Sequence, residues 1–259
     1  MYITNLCYYS AMITKSELDE LARKYETKDF FYDDPIGIPS QFKDKKDKEL
    51  AGFIASLVAY GRRDVFIKKL KQLLKIAKNE PYNFIMNFEP KILGDFNYRF
   101  GKSEDFSQIF EILKHLYKKD GGLEELFKYG YINPVENNIF VPVTDYFYSR
   151  TKNKDAMGFK FMIPDARKGS AMKRMCMYLR WMVRKGEVDF GIWNFMPASD
   201  LLIPLDTHVA RISRKMGLLK RNANDFKAVI ELTENLKKFD PVDPVKYDFA
   251  IFGYGVNNK

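Results

Sequence analysis

The chain has 259 residues, 46% of them hydrophobic and 30% charged, enough for a sizeable core in one large domain or two small helical lobes. Its formal net charge of +9 suits a polyanionic partner, because Lys and Arg that neutralise phosphates release counterions. Two cysteines, Cys7 and Cys176, and two histidines, His115 and His208, exclude a disulfide framework, an iron–sulfur or cysteine-rich zinc site and a multi-histidine metal centre, so no cofactor and no metal is expected.

Residues before Met12 show no pattern, and Met12 is an alternative start to Met1. The N-terminus lacks the charged start and apolar core of a secretory signal. No apolar run nears the roughly 18 residues that span a bilayer, so the expected compartment is the cytoplasm, without a membrane partner. Ser16 opens a short amphipathic stretch, with Glu17 and Asp19 placed for its first turn. Residues 29–48, with Pro35, Pro39 and a charge run from Lys43 to Lys48, read as an exposed loop. Apolar residues then recur at Leu50, Phe53, Ile54, Leu57 and Val58 and at Phe66, Leu70, Leu73 and Leu74, which predicts two helices meeting around Tyr60-Gly61-Arg62. Phe106, Ile109, Phe110, Leu113 and Leu116 predict another, ended by Gly121-Gly122, and a shorter one begins at Leu123. The stretch 133–158, with Pro134, Pro142 and β-branched residues, reads as a loop or a short hairpin joining two lobes.

After Pro164 the helical pattern returns. Met172, Met175, Cys176, Leu179, Met182 and Val183 make one apolar stripe, with Cys176 expected to be a buried thiol. Leu205, Val209, Ile212 and Met216 make the next, closed by Gly217, and Phe226, Val229, Ile230, Thr233 and Leu236 a third. Of two late Asp-Pro pairs, Asp243-Pro244 reads as an N-cap with proline at the first helical position, launching a helix through Phe252. The fold class is all-α. Most of the 22 Phe and 16 Tyr are expected in the core.

Two segments carry chemistry. On the helix after Lys168-Gly169-Ser170, the face beside the apolar stripe holds Lys173, Met177, Arg180 and Arg184, next to Trp181. From spacing alone this is a solvated basic face. Lys173 nevertheless falls in the first turn, where the positive end of the helix dipole disfavours an ammonium and so favours amine chemistry. Asp206 precedes the helix of Thr207-His208-Val209-Ala210-Arg211, as an N-cap does. The amide hydrogen bonds of a cap also hold a carboxylate ionised and fixed in direction, so cap and catalyst are compatible roles.

Pro204-Leu205-Asp206-Thr207-His208-Val209, followed by Arg211, resembles the Pro-Val-Asp-Thr-His-Val…Arg signature of the helix-hairpin-helix DNA glycosylases, the superfamily of endonuclease III and the 8-oxoguanine glycosylases. The resemblance spans roughly residues 50–255 and is specific around 164–211. It implies a two-lobed helical bundle, with a first helical lobe at about 50–135 and a lobe carrying hairpin and catalytic residues at about 159–259. It also implies that Lys173 is the nucleophile of the bifunctional members and Asp206 the catalytic aspartate. The 33 residues from Lys173 to Asp206 are more similar to the archaeal 8-oxoguanine branch, and to a little-characterised prokaryotic relative of it, than to endonuclease III. By that likeness Arg180, Asp248 and Phe252 read the base, aided by Trp181.

Three departures stand out. The hairpin Pro164-Asp165-Ala166-Arg167-Lys168-Gly169-Ser170 has one glycine instead of Gly-x-Gly, so Arg167 and Lys168 are expected to supply by side-chain charge part of the phosphate grip that backbone amides give elsewhere. Lys168 is also a rival nucleophile. The usual glutamine-bearing helix is replaced near Ala59-Tyr60-Gly61-Arg62, and the four-cysteine cluster is missing.

The expected function is therefore a monomeric, nucleoid-associated DNA glycosylase and AP lyase. It would excise an oxidised base, 8-oxoguanine first, from double-stranded DNA, with phosphates held by Arg62, Arg63, Arg167, Lys168 and Gly169. The alternative is a non-catalytic helix-hairpin-helix DNA-binding protein.

Overall fold

Helical spacing becomes helix almost wherever it occurs. The structure, a computed structural model, describes residues 13–29 and 34–257; Met1, Cys7 and Met12 lie outside the described residues. Its helices are α1 (Lys15–Tyr25), α2 (Lys45–Val58), α3 (Arg63–Ile76), α4 (Pro81–Met86), α5 (Ser103–Lys119), α6 (Leu123–Ile132), α7 (Phe140–Tyr148), α8 (Met157–Met162), α9 (Lys173–Val183), α10 (Thr207–Lys215), α11 (Phe226–Lys237) and α12 (Tyr247–Asn257). Among the described residues β-structure is limited to isolated bridges, so the chain is all-α. No helix among them is long and apolar enough to cross a membrane.

The centre of the fold is α2, in which every residue from Glu49 to Val58 is buried. Helix α9 packs across it, and α12 is sandwiched between α1 and α10. Much of the aromatic content lies here. Phe53 stacks on Phe147 at 5.6 Å and meets Tyr178 edge-on at 5.3 Å, and Tyr178 meets Trp193 at 5.4 Å. Each such side chain, fully withdrawn from water, contributes roughly 1.5–3 kcal/mol. The one carboxylate in this region, Glu49, accepts hydrogen bonds from the Trp193 indole and the Tyr117 hydroxyl, both 2.9 Å. The buried residues form a continuous cluster from Leu18 to Ile251.

Four local expectations are corrected. The first helix is capped by Thr14, not opened by Ser16: Thr14 and Glu17 form a reciprocal capping box. Residues 34–48 are not an exposed loop. Pro35–Gly37 and Pro39–Gln41 form 3-10 turns that bury Ile36 and Ile38, and the charge run opens α2, with Asp44 capping the amides of Lys46 and Asp47. Within 133–158 a tight turn does occur, Val135 pairing with Asn138, but α7 follows it and includes Pro142. Proline is tolerated there because its position is in the first turn, where a backbone N–H has no partner to lose. Finally, Asp243 caps nothing with its side chain; Pro244–Lys246 is a 3-10 turn, α12 starts at Tyr247, and the Asp243 carboxylate accepts from Arg184 Nε instead.

Candidate active site

The chain enters α9 sharply. Gly169 has φ +72° and ends the 3-10 turn Ala166–Lys168, and Met172, the N-cap, has φ +50°. A left-handed methionine costs roughly 1–3 kcal/mol, here offset by near-complete burial of its side chain. The result is that Lys173 is the first residue of α9. Asp206 caps α10, its Oδ1 accepting the Val209 N–H at 2.8 Å. Its other oxygen, Oδ2, is 3.4 Å from Lys173 Nζ, with both side chains about one-third exposed (32% and 30%). Two helix N-termini thus bring an amine and an aligned carboxylate to one place, where their dipoles also favour an anion such as phosphate.

Lys173 and Asp206 line a cleft of about 810 Å³, and Arg63, Arg180, Trp181, Asp248 and Phe252 line it with them. The face of α9 expected to be solvated is buried. Met177, Arg180 and Arg184 are each under 9% exposed, and the arginines are neutralised internally. Arg180 donates from Nε to Asp189 at 3.2 Å and from Nη1 to Asp248, while its guanidinium lies 4.4 Å from the Phe249 ring centroid. Arg184 binds Asp189 and Glu26 as well as Asp243. An extended ion network therefore fixes Asp248 from behind. Burial pushes the Asp248 carboxyl up to about 6, against the pull of Arg180.

Phe252 contacts the cleft from α12, with the His208 ring 5.9 Å and the Arg63 guanidinium 5.6 Å from its centroid. Trp181 is fully buried, so its ring faces are covered, and its indole N–H has no hydrogen-bond partner among the described residues. Trp181 therefore presents no face to the cleft for a base to stack on. Cys176 is buried, and burial pushes its thiol well up, the behaviour of an inert core residue.

The remaining candidates lie outside the cleft lining. Arg62 is held by Asp64 and Arg167 by Asp145, both in two-bond pairs on the surface. Lys168 is 74% exposed and 3.9 Å from Asp165. The Gly169 carbonyl accepts the Phe226 N–H at 2.9 Å, tying the hairpin to α11. Exposed ion pairs contribute little, so exchanging either aspartate for a phosphate costs little.

Sequence reasoning missed Asp34. It lines the same cleft while its Oδ1 caps the 3-10 turn through the Ile36 N–H at 3.1 Å. Burial pushes its carboxyl up, and the Ile36 hydrogen bond and the charges of Arg63, Arg180 and Lys173 pull it back. A signal was present: Asp34-Pro35 is the dipeptide noticed at Asp243-Pro244, and here, unlike there, the aspartate side chain does cap. Among the described residues no group of three or more His, Cys, Asp or Glu side chains is placed to hold a metal ion.

A family model described as Protein of unknown function (DUF2400) matches residues 34–257. No curated protein and no solved structure matches the chain.

Proposed function

We propose, for a chain that belongs to the DUF2400 family of proteins of unknown function, that it is a bifunctional DNA glycosylase and AP lyase acting on an oxidised base, 8-oxoguanine first. The observation that carries this reading is the 3.4 Å approach of Lys173 Nζ to Asp206 Oδ2 in a cleft of nucleotide size. Binding alone needs neither group.

The lesion nucleotide leaves the base stack, at a cost of a few kcal/mol, which phosphate contacts by Arg62, Arg63, Arg167 and Lys168 offset. Asp248 accepts hydrogen bonds from ring N–H and amino donors of the base, and Phe252 stacks on it. The Lys173 amine attacks C1′; the N–C1′ bond forms as the glycosidic bond breaks, and the base departs with its electron pair and is protonated by water. Asp206 stabilises the positive charge developing on the sugar and takes the proton released by the amine. Asp206 returns that proton to O4′ as the C1′–O4′ bond breaks, which leaves a protonated Schiff base at C1′. Loss of the C2′ proton then expels the 3′ phosphate, and the strand is nicked by β-elimination.

A panel of duplexes, each with one lesion and scored for strand cleavage, tests this directly. Cleavage confined to oxidised purines is the expected result; salt-sensitive binding with no cleavage at any lesion would leave only a DNA-binding protein. In the same assay Asp206→Asn is expected to lower single-turnover cleavage about 100-fold or more while DNA affinity stays within about twofold. Asparagine caps helices as well as aspartate does, so stability should be nearly unchanged. A large drop in melting temperature with normal chemistry would reduce Asp206 to a cap.

Asp248 makes the site pH-dependent. The carboxylate accepts from two donors of the base with full charge only when ionised, and burial raises its pKa to about 6. The ratio of wild-type to Asp248→Asn kcat/KM should therefore rise with pH and level off above about 6. Taking this ratio cancels the protonation of other groups. A ratio flat from pH 5 to 8 would remove Asp248 from base recognition.

A further inference from the structure

We propose that Arg99, Phe100 and Phe161 form a second nucleobase platform at the rim of the cleft, on which a base of the duplex beside the extruded nucleotide unstacks and rests. It depends on the DNA-substrate reading above but not on the chemistry of Lys173.

Tyr98 and Gly101 exchange both backbone hydrogen bonds, at 2.8 and 2.9 Å, leaving Arg99 and Phe100 at the tip of a two-residue turn. Arg99 has φ +52°, a conformation that costs a non-glycine residue free energy and persists only where its surroundings impose it. Phe100 is 43% exposed and Phe161, on α8, is 36% exposed, their ring centroids 4.8 Å apart. Behind them Tyr60 lies 4.6 Å from Phe161, and both Tyr60 and Phe161 line the cleft of Lys173 and Asp206. One aromatic surface therefore starts inside the cleft and continues out past its rim.

Cations lie over parts of this surface. The Arg99 guanidinium is 5.8 Å from the Phe100 centroid and that of Arg174 is 5.0 Å from Phe161. The Phe100 and Phe161 rings are inclined at 48°, and an exposed ring with a guanidinium at its face fits a nucleobase, which stacks on either plane, with its phosphate beside the charge. The platform is also stiff. The Asp105 carboxylate accepts the amides of both Lys102 (2.9 Å) and Phe159 (3.2 Å), and Gly158 leaves no room for a Cβ against the backbone of Phe100 and Gly101. Removing one nucleotide from a stack strips a face from its neighbour, and an apolar ring inserted at that step replaces the lost contact.

The test uses full-length protein and a duplex carrying a non-cleavable tetrahydrofuran abasic analogue with 2-aminopurine as the adjacent base. Wild-type binding is expected to raise 2-aminopurine fluorescence severalfold. Phe100→Ala and, independently, Phe161→Ala should remove most of the rise and weaken binding roughly tenfold, with the melting temperature of Phe100→Ala unchanged, whereas Phe100→Trp should keep both. No rise with wild type, or alanine variants that unstack the base as wild type does, would overturn the platform. The two readings separate cleanly. Lesion cleavage by wild type with normal unstacking by both alanine variants sinks the platform alone; unstacking lost in those variants without cleavage of any lesion sinks the glycosylase alone.

Discussion

Lys173→Gln is expected to abolish borohydride trapping of the protein on lesion-bearing duplex, while Lys168→Gln traps like wild type. Reduction captures a Schiff base, so a covalent complex forms only if an amine has reached C1′. Lys173 is the first residue of α9, lines the cleft and faces Asp206. Lys168 is 74% exposed and lies off the cleft beside Asp165. Glutamine keeps most of the lysine's volume, and a one-third-exposed side chain tolerates the change, so the variant should melt within a few degrees of wild type. Denaturing gels of protein reduced on 8-oxoguanine duplex read the outcome. Trapping that survives Lys173→Gln but disappears with Lys168→Gln would reverse the assignment; trapping lost in neither would refute a lysine nucleophile in this region.

Arg184→Met is expected to destabilise the protein by about 3–5 kcal/mol, the usual cost of removing one partner from a buried ionic network. Arg184 answers three carboxylates, Glu26 on the chain just after α1, Asp189 after α9 and Asp243 before α12. The Asp189 side chain is 0% exposed. Methionine fills similar space but leaves those charges facing one another, with Arg180 the remaining nearby cation. For a chain of this size the midpoint should fall by roughly 2–4 °C per kcal/mol. Arg184→Lys should recover only part of the loss, since one ammonium cannot reproduce a planar fork. Because Arg180 shares Asp189 and holds Asp248, cleavage should weaken even where the variant stays folded. A shift below about 1 kcal/mol in urea unfolding would mean the network is solvated in practice.

The all-α class and the paths of α2, α3, α5, α9, α10 and α11 were legible because apolar periodicity and caps are local signals. So was the role of Asp206 as a cap, which fixes its direction. Two other kinds of information were not. Pro142 and its β-branched neighbours argue against helix by propensity, yet Pro142 falls in the first turn, where it costs little, and the burial of Phe140, Val141, Val143 and Phe147 outweighs the few tenths of a kcal/mol per β-branched residue. Arg180 and Arg184 read as solvated because a charge shows its partner only in three dimensions. The partners Glu26, Asp243 and Asp248 lie 158, 59 and 68 residues away. Asp34 joins the cleft from 139 residues before Lys173 for the same reason.

The pairing of α1 with α12 has a consequence for synthesis. The Tyr247 hydroxyl reaches Asp19 at 2.8 Å across 228 residues, and Gly253 lies directly under the Tyr25 ring. Helix α1, whose main packing partner is α12, therefore lacks that surface until residues 247–257 have been made. Asp248 and Phe252 arrive with that same last segment. On the proposed reading a nascent chain cannot hold a base until residues 247–257 have been made, and α1 must wait in water, or on a chaperone, for α12.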